Sequence, residues 1–268
     1  MRGLSVIGAG NMGSALIRGL VRSEHTNAET ILVFDIDSGK TKALKQELGV
    51  TAVSDIGETV RSGTDAIVLA VKPQSVGEVL DRVASHIHDR PMVISIAAGI
   101  TTEFILSRLS PKARVIRAMP NAAAMLRRSA TAVCKAGEAD EKDLAMALDI
   151  FRAFGSAAPV DEKLINAVTG LSASGLAYLF VIMEALTDGG VLMGLDRPTA
   201  RALTIQTVLG ATEMAASENA AFSDLKDRIT SPGGTTITGL QVIERAGLRG
   251  ILMDAIAAAT RRAEELQA

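Results

Sequence analysis

The chain has no tryptophan, a single tyrosine, a single cysteine and three histidines in 268 residues. Aromatic residues make up 3%, so the interior must be built from Ala, Val, Ile, Leu and Met, which suit close packing between helices. One cysteine, Cys134, excludes an intramolecular disulfide and points to a reducing compartment. It lies in the apolar run Ala130-Thr131-Ala132-Val133-Cys134, where a buried structural thiol is favoured over a nucleophile. The histidines give no metal cluster; His86 and His88, beside Asp89 and Arg90, read as surface positions. A formal net charge of −2 removes the electrostatic case for nucleic acid, and Arg127-Arg128 and Arg261-Arg262 read as solvated faces. The N-terminus carries no targeting signal, because Met1-Arg2-Gly3 runs straight into a strand. No apolar run of the roughly 20 residues that span a bilayer is expected. A soluble cytoplasmic protein follows, with neither nucleic acid nor membrane as partner.

What is present is a large apolar share, 48%, against 22% charged residues. The first half alternates short apolar runs with amphipathic ones. Strands are expected at 4–7, 31–34, 66–69, 92–96, 113–117, 130–134 and 157–160, with helices at 12–22, 40–48, 74–84, 101–109 and 138–154. Strands alternating with helices imply a mostly parallel sheet covered on both faces. After Asp161 the pattern becomes all-helical, with helices at 164–193, 198–217, 222–229, 236–246 and 248–266. The fold class is therefore α/β, with a Rossmann-type domain at 1–160 and a helical domain at 161–268.

Gly8-Ala9-Gly10-Asn11-Met12-Gly13 fits G-x-G-x-x-G, follows a strand and opens a helix, as dinucleotide binding requires. Gly8 permits the tight turn, Gly10 the approach of pyrophosphate and Gly13 the packing of helix on strand. An acidic residue roughly 20 positions on reads the adenosine ribose, and Asp35 stands there. An ionised Asp35 accepts from ribose hydroxyls and repels a 2′-phosphate, which favours NADH over NADPH. Asp37, Lys40 and Lys42 make the local field mixed, and Asp35 as a plain helix cap stays open. Ala70-Val71-Lys72-Pro73 leaves the strand at 66–69 beside the expected dinucleotide, and Lys72 reads either as a ligand contact or as a solvated lysine. Ala97-Ala98-Gly99 offers small residues where a nicotinamide lies close to backbone.

A second anion receptor lies far along the chain. Leu225-Lys226-Asp227-Arg228-Ile229-Thr230 leads into Ser231-Pro232-Gly233-Gly234-Thr235-Thr236, a turn able to aim backbone N–H groups at one small anion. Two anion sites, one for a dinucleotide and one for something smaller, suggest a redox reaction on a small carboxylate. The amides of Gly234, Thr235 and Thr236 are the expected receptor, with side chains at Gly233 or Gly234 blocking it. The Thr236 hydroxyl suits either a substrate contact or a helix cap.

With these motifs in order, the chain resembles the pyrroline-5-carboxylate reductase family over essentially its whole length. The motifs that carry the resemblance are the glycine loop, Ala70-Val71-Lys72-Pro73, Arg117-Ala118-Met119-Pro120-Asn121, Val168-Thr169-Gly170-Leu171-Ser172 and, most diagnostic, the Ser231–Thr236 turn. The resemblance implies reduction of 1-pyrroline-5-carboxylate to L-proline by NAD(P)H. It implies a substrate carboxylate held by the 231–236 backbone, Thr236 near the ring nitrogen, and Glu162 close to the substrate. It also implies helical domains interlocked as homodimers, with further assembly into a decamer. Two departures stand out. Ala122-Ala123 replace the family's Thr-Pro after Asn121, and Leu176 replaces a proline, which predicts a straighter helix. Tyr178 reads as a packing residue with its hydroxyl at an edge. The long apolar helix 164–193 predicts a substantial subunit interface. The runner-up resemblance is to β-hydroxyacid dehydrogenases, for which Lys163 is the candidate base; a non-catalytic NAD(H)-binding sensor is the non-enzyme alternative.

Overall fold

A computed structural model describes residues 3–23, 26–60, 64–87, 91–218 and 220–267. The expectations for Met1, Arg2, His88, Asp89 and Arg90 therefore lie outside the described residues. The chain divides into two compact units, one holding the residues up to 173 together with those from 259 on, the other Ser174–Ala258. That division falls later than the change of pattern at 160.

In the first unit β1 (Leu4–Ile7), β2 (Ile31–Phe34), β3 (Thr51–Ala52), β4 (Ala66–Leu69), β5 (Met92–Ser95), β6 (Arg114–Met119), β7 (Ser129–Gly137) and β8 (Gly155–Pro159) form one sheet among the described residues. Its order is β3-β2-β1-β4-β5-β6-β7-β8. All pairings are parallel except β6 with β7. β3 is two residues long, too short to leave an apolar run, and was not expected. Side chains alternate across the sheet, and both sets are buried. Leu4, Val6, Ile94 and Ile116 pack in one core, Ile7, Ile67, Leu69 and Val93 in another. Burial on both faces is why these strands read as continuous apolar runs.

The covering helices are α1 (Asn11–Arg22), α2 (Ser38–Leu48), α3 (Val76–Ala84), α4 (Thr102–Leu109) and α5 (Glu141–Arg152). α5 starts later than the expected 138 because a capping box of Asp140 and Asp143 sets its first turn, which satisfies orphan N–H groups reciprocally.

From Glu162 the chain is helical. α6 (Ile165–Val168) widens into a π-helix at Thr169–Ala173, and α7 (Gly175–Leu192) follows. The helix without a proline at 176 is therefore not uniform, because the irregularity arises in the Thr169-Gly170 turn before it. Asn121 Nδ2 donates to Ser172 O at 3.3 Å and Oγ at 3.1 Å, which pins the π turn to the segment after β6.

The second unit contains α7, α8 (Arg197–Glu218), α9 (Phe222–Arg228), α10 (Thr235–Arg245) and the first part of α11 (Leu248–Glu265). α7 and α8 pack together and share a Thr187–Thr204 hydroxyl bond of 3.2 Å. In the single chain α7 leaves Leu179, Phe180, Val181, Leu186 and Leu192 exposed. The expectation of no membrane-length apolar run needs correction. The helical stretch Glu162–Leu192 is long and apolar enough by length and composition. Gly, Ala and Thr between its larger residues hide that length from a search for continuous Leu, Ile and Val.

Candidate active site

β1 ends at the crevice between β2 and β4, the point where strand order reverses and α/β sheets bind ligands. Gly8 turns the chain with φ +105, and a Cβ there would stand 2.5 Å from the Ala70 carbonyl oxygen. A Cβ on Gly13 would run into the Gly8 carbonyl. The loop is drawn tight by Gly8 N–H donating to Phe34 O at 2.7 Å and Ala70 N–H to Ile7 O at 2.8 Å. Gly10 differs, because a Cβ on it would meet no atom within 4 Å. Grooves of about 390 and 360 Å³ meet over it, one lined by Asp35, Ile36 and Lys72, the other by Ser14, Arg18 and Lys40. α1 begins at Asn11 with Gly10 as N-cap and no side-chain cap. Its first N–H groups are therefore the kind that a phosphate satisfies. The open space over Gly10 at an uncapped helix start fits a dinucleotide. Met12 is half-buried and packs on the core rather than facing the groove.

Asp35 is largely buried. Its carboxylate accepts the Ala9 N–H at 2.7 Å and the Asp37 N–H at 2.9 Å, with Lys40 Nζ 3.8 Å away. The cap of α2 is Asp37, which accepts from Gly39 N–H at 2.9 Å. The plain-cap alternative for Asp35 is thus set aside. Its carboxylate has roughly four lone-pair sites, so room for ribose hydroxyls remains. Val71 and Lys72 line the 390 Å³ groove, and Pro73 opens a short 3₁₀ turn. Beyond β5, Ala97 is buried, Ala98 exposed, and Gly99 has φ +77. A Cβ on Gly99 would lie 2.8 Å from the carbonyl oxygen of Leu266, where the C-terminal segment returns.

Glu162 belongs to this first unit. Its Oε1 accepts from Thr102 N–H at 2.8 Å and Arg117 Nη1 at 3.0 Å, and its Oε2 from Thr102 Oγ1 at 2.5 Å. Burial alone would raise its pKa. The hydrogen bonds from Thr102 and the Arg117 guanidinium outweigh that and hold it below the usual carboxylate value. Arg117 and Thr102 were not singled out as functional from the sequence. The available signal was a charged residue inside the apolar run Val115-Ile116-Arg117-Ala118-Met119, since a buried charge requires a partner. Cys134 is buried, and its thiol is pushed up to about 11 by burial and by the Glu162 charge, which supports the structural-thiol reading.

In the second unit the Ser231–Thr236 turn opens α10. Gly234 N–H donates to Ser231 O at 3.1 Å and closes the turn. The Gly234 amide is thus engaged within the turn, while Thr235 and Thr236 are the first two residues of α10. Gly233 has φ +69, and a Cβ on Gly234 would collide with Ser231 Oγ. The left-handed backbone therefore favours glycine at 233, while at 234 a side chain would have to displace the Ser231 hydroxyl. The N-cap of α10 is Gly234, without a side-chain cap. Thr236 is the second residue of the helix, half-buried, and is not its cap. Tyr178 Oη donates to Ala255 O at 3.4 Å, in keeping with a packing residue. Lys163 is 78% exposed and pairs with Asp161 at 3.4 Å, a solvated position ill-suited to a catalytic base.

Comparison with known proteins bears on both units. Residues 162–266 match the family model described as pyrroline-5-carboxylate reductase dimerisation, and 4–99 match one described as NADP oxidoreductase, coenzyme F420-dependent. The pyrroline-5-carboxylate reductase of Methanosarcina acetivorans is 42% identical over 98% of this chain and 97% of its own length. A solved pyrroline-5-carboxylate reductase from Coxiella burnetii superposes with TM-score 0.96 at 35% identity, covering 100% of this chain and 99% of that one. The Plasmodium falciparum enzyme, solved with NADP bound, reaches TM-score 0.85 at 28% identity over 99% of this chain and 98% of its own.

Proposed function

The chain belongs to the pyrroline-5-carboxylate reductase family, and from that premise we propose how its residues share the work. It reduces 1-pyrroline-5-carboxylate to L-proline with NAD(P)H, the last step of proline biosynthesis. The observation that carries this is a likeness running through both units, from the glycine loop in one to the Ser231–Thr236 turn in the other.

Residues 1–160 serve the dinucleotide, and 161–268 serve the substrate and dimerisation. Gly8, Ala9, Gly10, Asn11, Met12 and Gly13 would hold the pyrophosphate, with Met12 acting through packing. Asp35 reads the ribose. Ala70, Val71, Lys72 and Pro73 line the dinucleotide crevice, and Ala97, Ala98 and Gly99 back the nicotinamide. Asp35 favours NADH, since its anion repels a 2′-phosphate, while Lys40 at 3.8 Å moderates that preference.

The reduced nicotinamide supplies the hydride. The protonated C=N carbon accepts it, and the π electrons become the nitrogen lone pair of proline. The protein therefore needs mainly to position and orient. The start of α10, at Ser231, Gly233, Gly234, Thr235 and Thr236, receives the substrate carboxylate, helped by the helix dipole. The Thr236 hydroxyl hydrogen-bonds the ring nitrogen and orients it. Glu162 stands on the substrate side of the site.

The exposed apolar faces of α7 and α8 are covered by a second copy in a homodimer, with dimers assembling into a decamer. A cytoplasmic location accords with the single thiol. The test is a spectrophotometric assay with NADH and NADPH on this imine and its six-membered homologue. Turnover faster with NADH and dependent on the five-membered imine is expected. Absence of turnover with either cofactor rejects the assignment.

A further inference from the structure

β6 carries Arg117 in the middle of an apolar strand, 2% exposed, in register with Ser95 of β5 and Cys134 of β7. Its guanidinium meets Glu162, and the same carboxylate receives both the N–H and the hydroxyl of Thr102. Thr102 is the first residue of α4, and that helix already has a local cap, because Thr101 Oγ1 accepts the Phe104 N–H at 3.1 Å. Glu162 is thus a second cap, reaching across 60 residues of sequence to an orphan N–H that a carboxylate suits. The local cap serves the Phe104 N–H alone, so Glu162 adds to it at a different N–H and brings a contact to the sheet that a local cap lacks.

What the anchor holds is the chain between β5 and α4. Thr102 ends the turn that begins at Ala97-Ala98-Gly99, and Gly99 gives that turn a left-handed bend. Arg117, one strand over from Ser95, donates to the same Glu162 oxygen that accepts the Thr102 N–H and ties the carboxylate to the sheet. We propose that Glu162 is a positioning residue for hydride transfer: through Thr102 and Arg117 it fixes the turn at 97–102 that supports the nicotinamide. This rests on the reductase reading above. It makes the influence of Glu162 on the substrate indirect, since three protein donors already take most of its roughly four acceptor sites.

The test is Glu162→Gln in the full-length enzyme, with Thr102→Val beside it. The amide keeps the size of Glu162 but removes the charge and presents an NH₂ to one of the donors. A misplacement of the nicotinamide turn lowers kcat by on the order of 10- to 100-fold while KM for the imine stays within about threefold. Emission of bound NADH changes, and hydrogen exchange of the segment 97–109 quickens even without cofactor. Thr102→Val shows the same signature more weakly, and the double variant is less than additive, as expected for residues acting together. A raised imine KM at unchanged kcat would mean direct substrate contact and overturn the proposal. So would unchanged exchange and emission, or strict additivity. If Glu162→Gln does not fold, Thr102→Val alone decides, because it deletes one donor and leaves the pair with Arg117. If the parent enzyme turns over no cyclic imine, the reductase reading fails, while exchange and emission still decide the role of Glu162.

Discussion

The Asp35 carboxylate accepts the backbone N–H of Ala9 at 2.7 Å, so the acidic end of β2 is tied to the glycine loop. The residue proposed to read the ribose is therefore bonded to the loop proposed to meet the pyrophosphate.

Asp35→Ser should therefore act twice. Loss of the charged acceptor weakens NADH binding by about tenfold or more. NADPH suffers less, because the anion that repels its 2′-phosphate is gone. Fluorescence titration with both cofactors checks this; an unchanged ratio would place ribose recognition elsewhere.

Gly8→Ala and Gly10→Ala should separate folding from binding. At Gly8 a side chain meets the Ala70 carbonyl and a left-handed backbone, which together cost about 3 kcal/mol or more. At Gly10 it meets no protein atom, so thermal unfolding should be nearly unchanged while dinucleotide affinity falls sharply. Equal destabilisation by both changes would contradict the open space over Gly10.

Thr236→Ala should lower kcat/KM by about 10- to 100-fold, the worth of a hydrogen bond to a charged group. Because Gly234 caps α10, stability should hardly move, and NADH affinity should be kept. A loss of stability with normal kinetics would return Thr236 to a structural role.

The pH dependence of unfolding should carry a Glu162 contribution. Its folded pKa lies below the unfolded value, because the hydrogen bonds from Thr102 and Arg117 outweigh burial. Its stabilisation is present above the unfolded carboxylate value and is lost as pH falls through the lower, folded one. Glu162→Ala leaves Arg117 buried without its counter-charge, at about 3 kcal/mol, and should flatten this acid limb. Denaturant melts at neutral and acid pH measure both effects.

Phe180→Asp or Val181→Asp should break the dimer, since both side chains lie exposed on α7 in the single chain and a charge there opposes burial against a second copy. Sedimentation velocity should show smaller species with reduced activity; an unaltered assembly would place the interface elsewhere.

Much of the architecture was legible as local pattern. Doubly buried strands produce continuous apolar runs, and a glycine loop between β1 and α1 has a mechanism that its spacing reveals. The two residues of β3 left no such run, and the π turn at Thr169–Ala173 left no breaker to read, since glycine at 170 is tolerated in ordinary helices as well. The site divided along the same line. The roles proposed for Gly8, Gly10, Gly13, Asp35 and the 231–236 turn rest on backbone geometry within a few residues, and short-range geometry is written in residue type and spacing. Which group capped which helix was decided otherwise. Asp37 rather than Asp35 caps α2, Gly234 rather than Thr236 caps α10, and Glu162 caps α4 from 60 residues away. An orphan N–H is satisfied by whichever acceptor the fold brings within reach. The sequence by itself determined the family, the mostly parallel sheet and the two glycine turns proposed to receive anions. Only the tertiary structure joined Arg117, Thr102 and Glu162, because burying a charge forces a choice of partner that chain order does not contain.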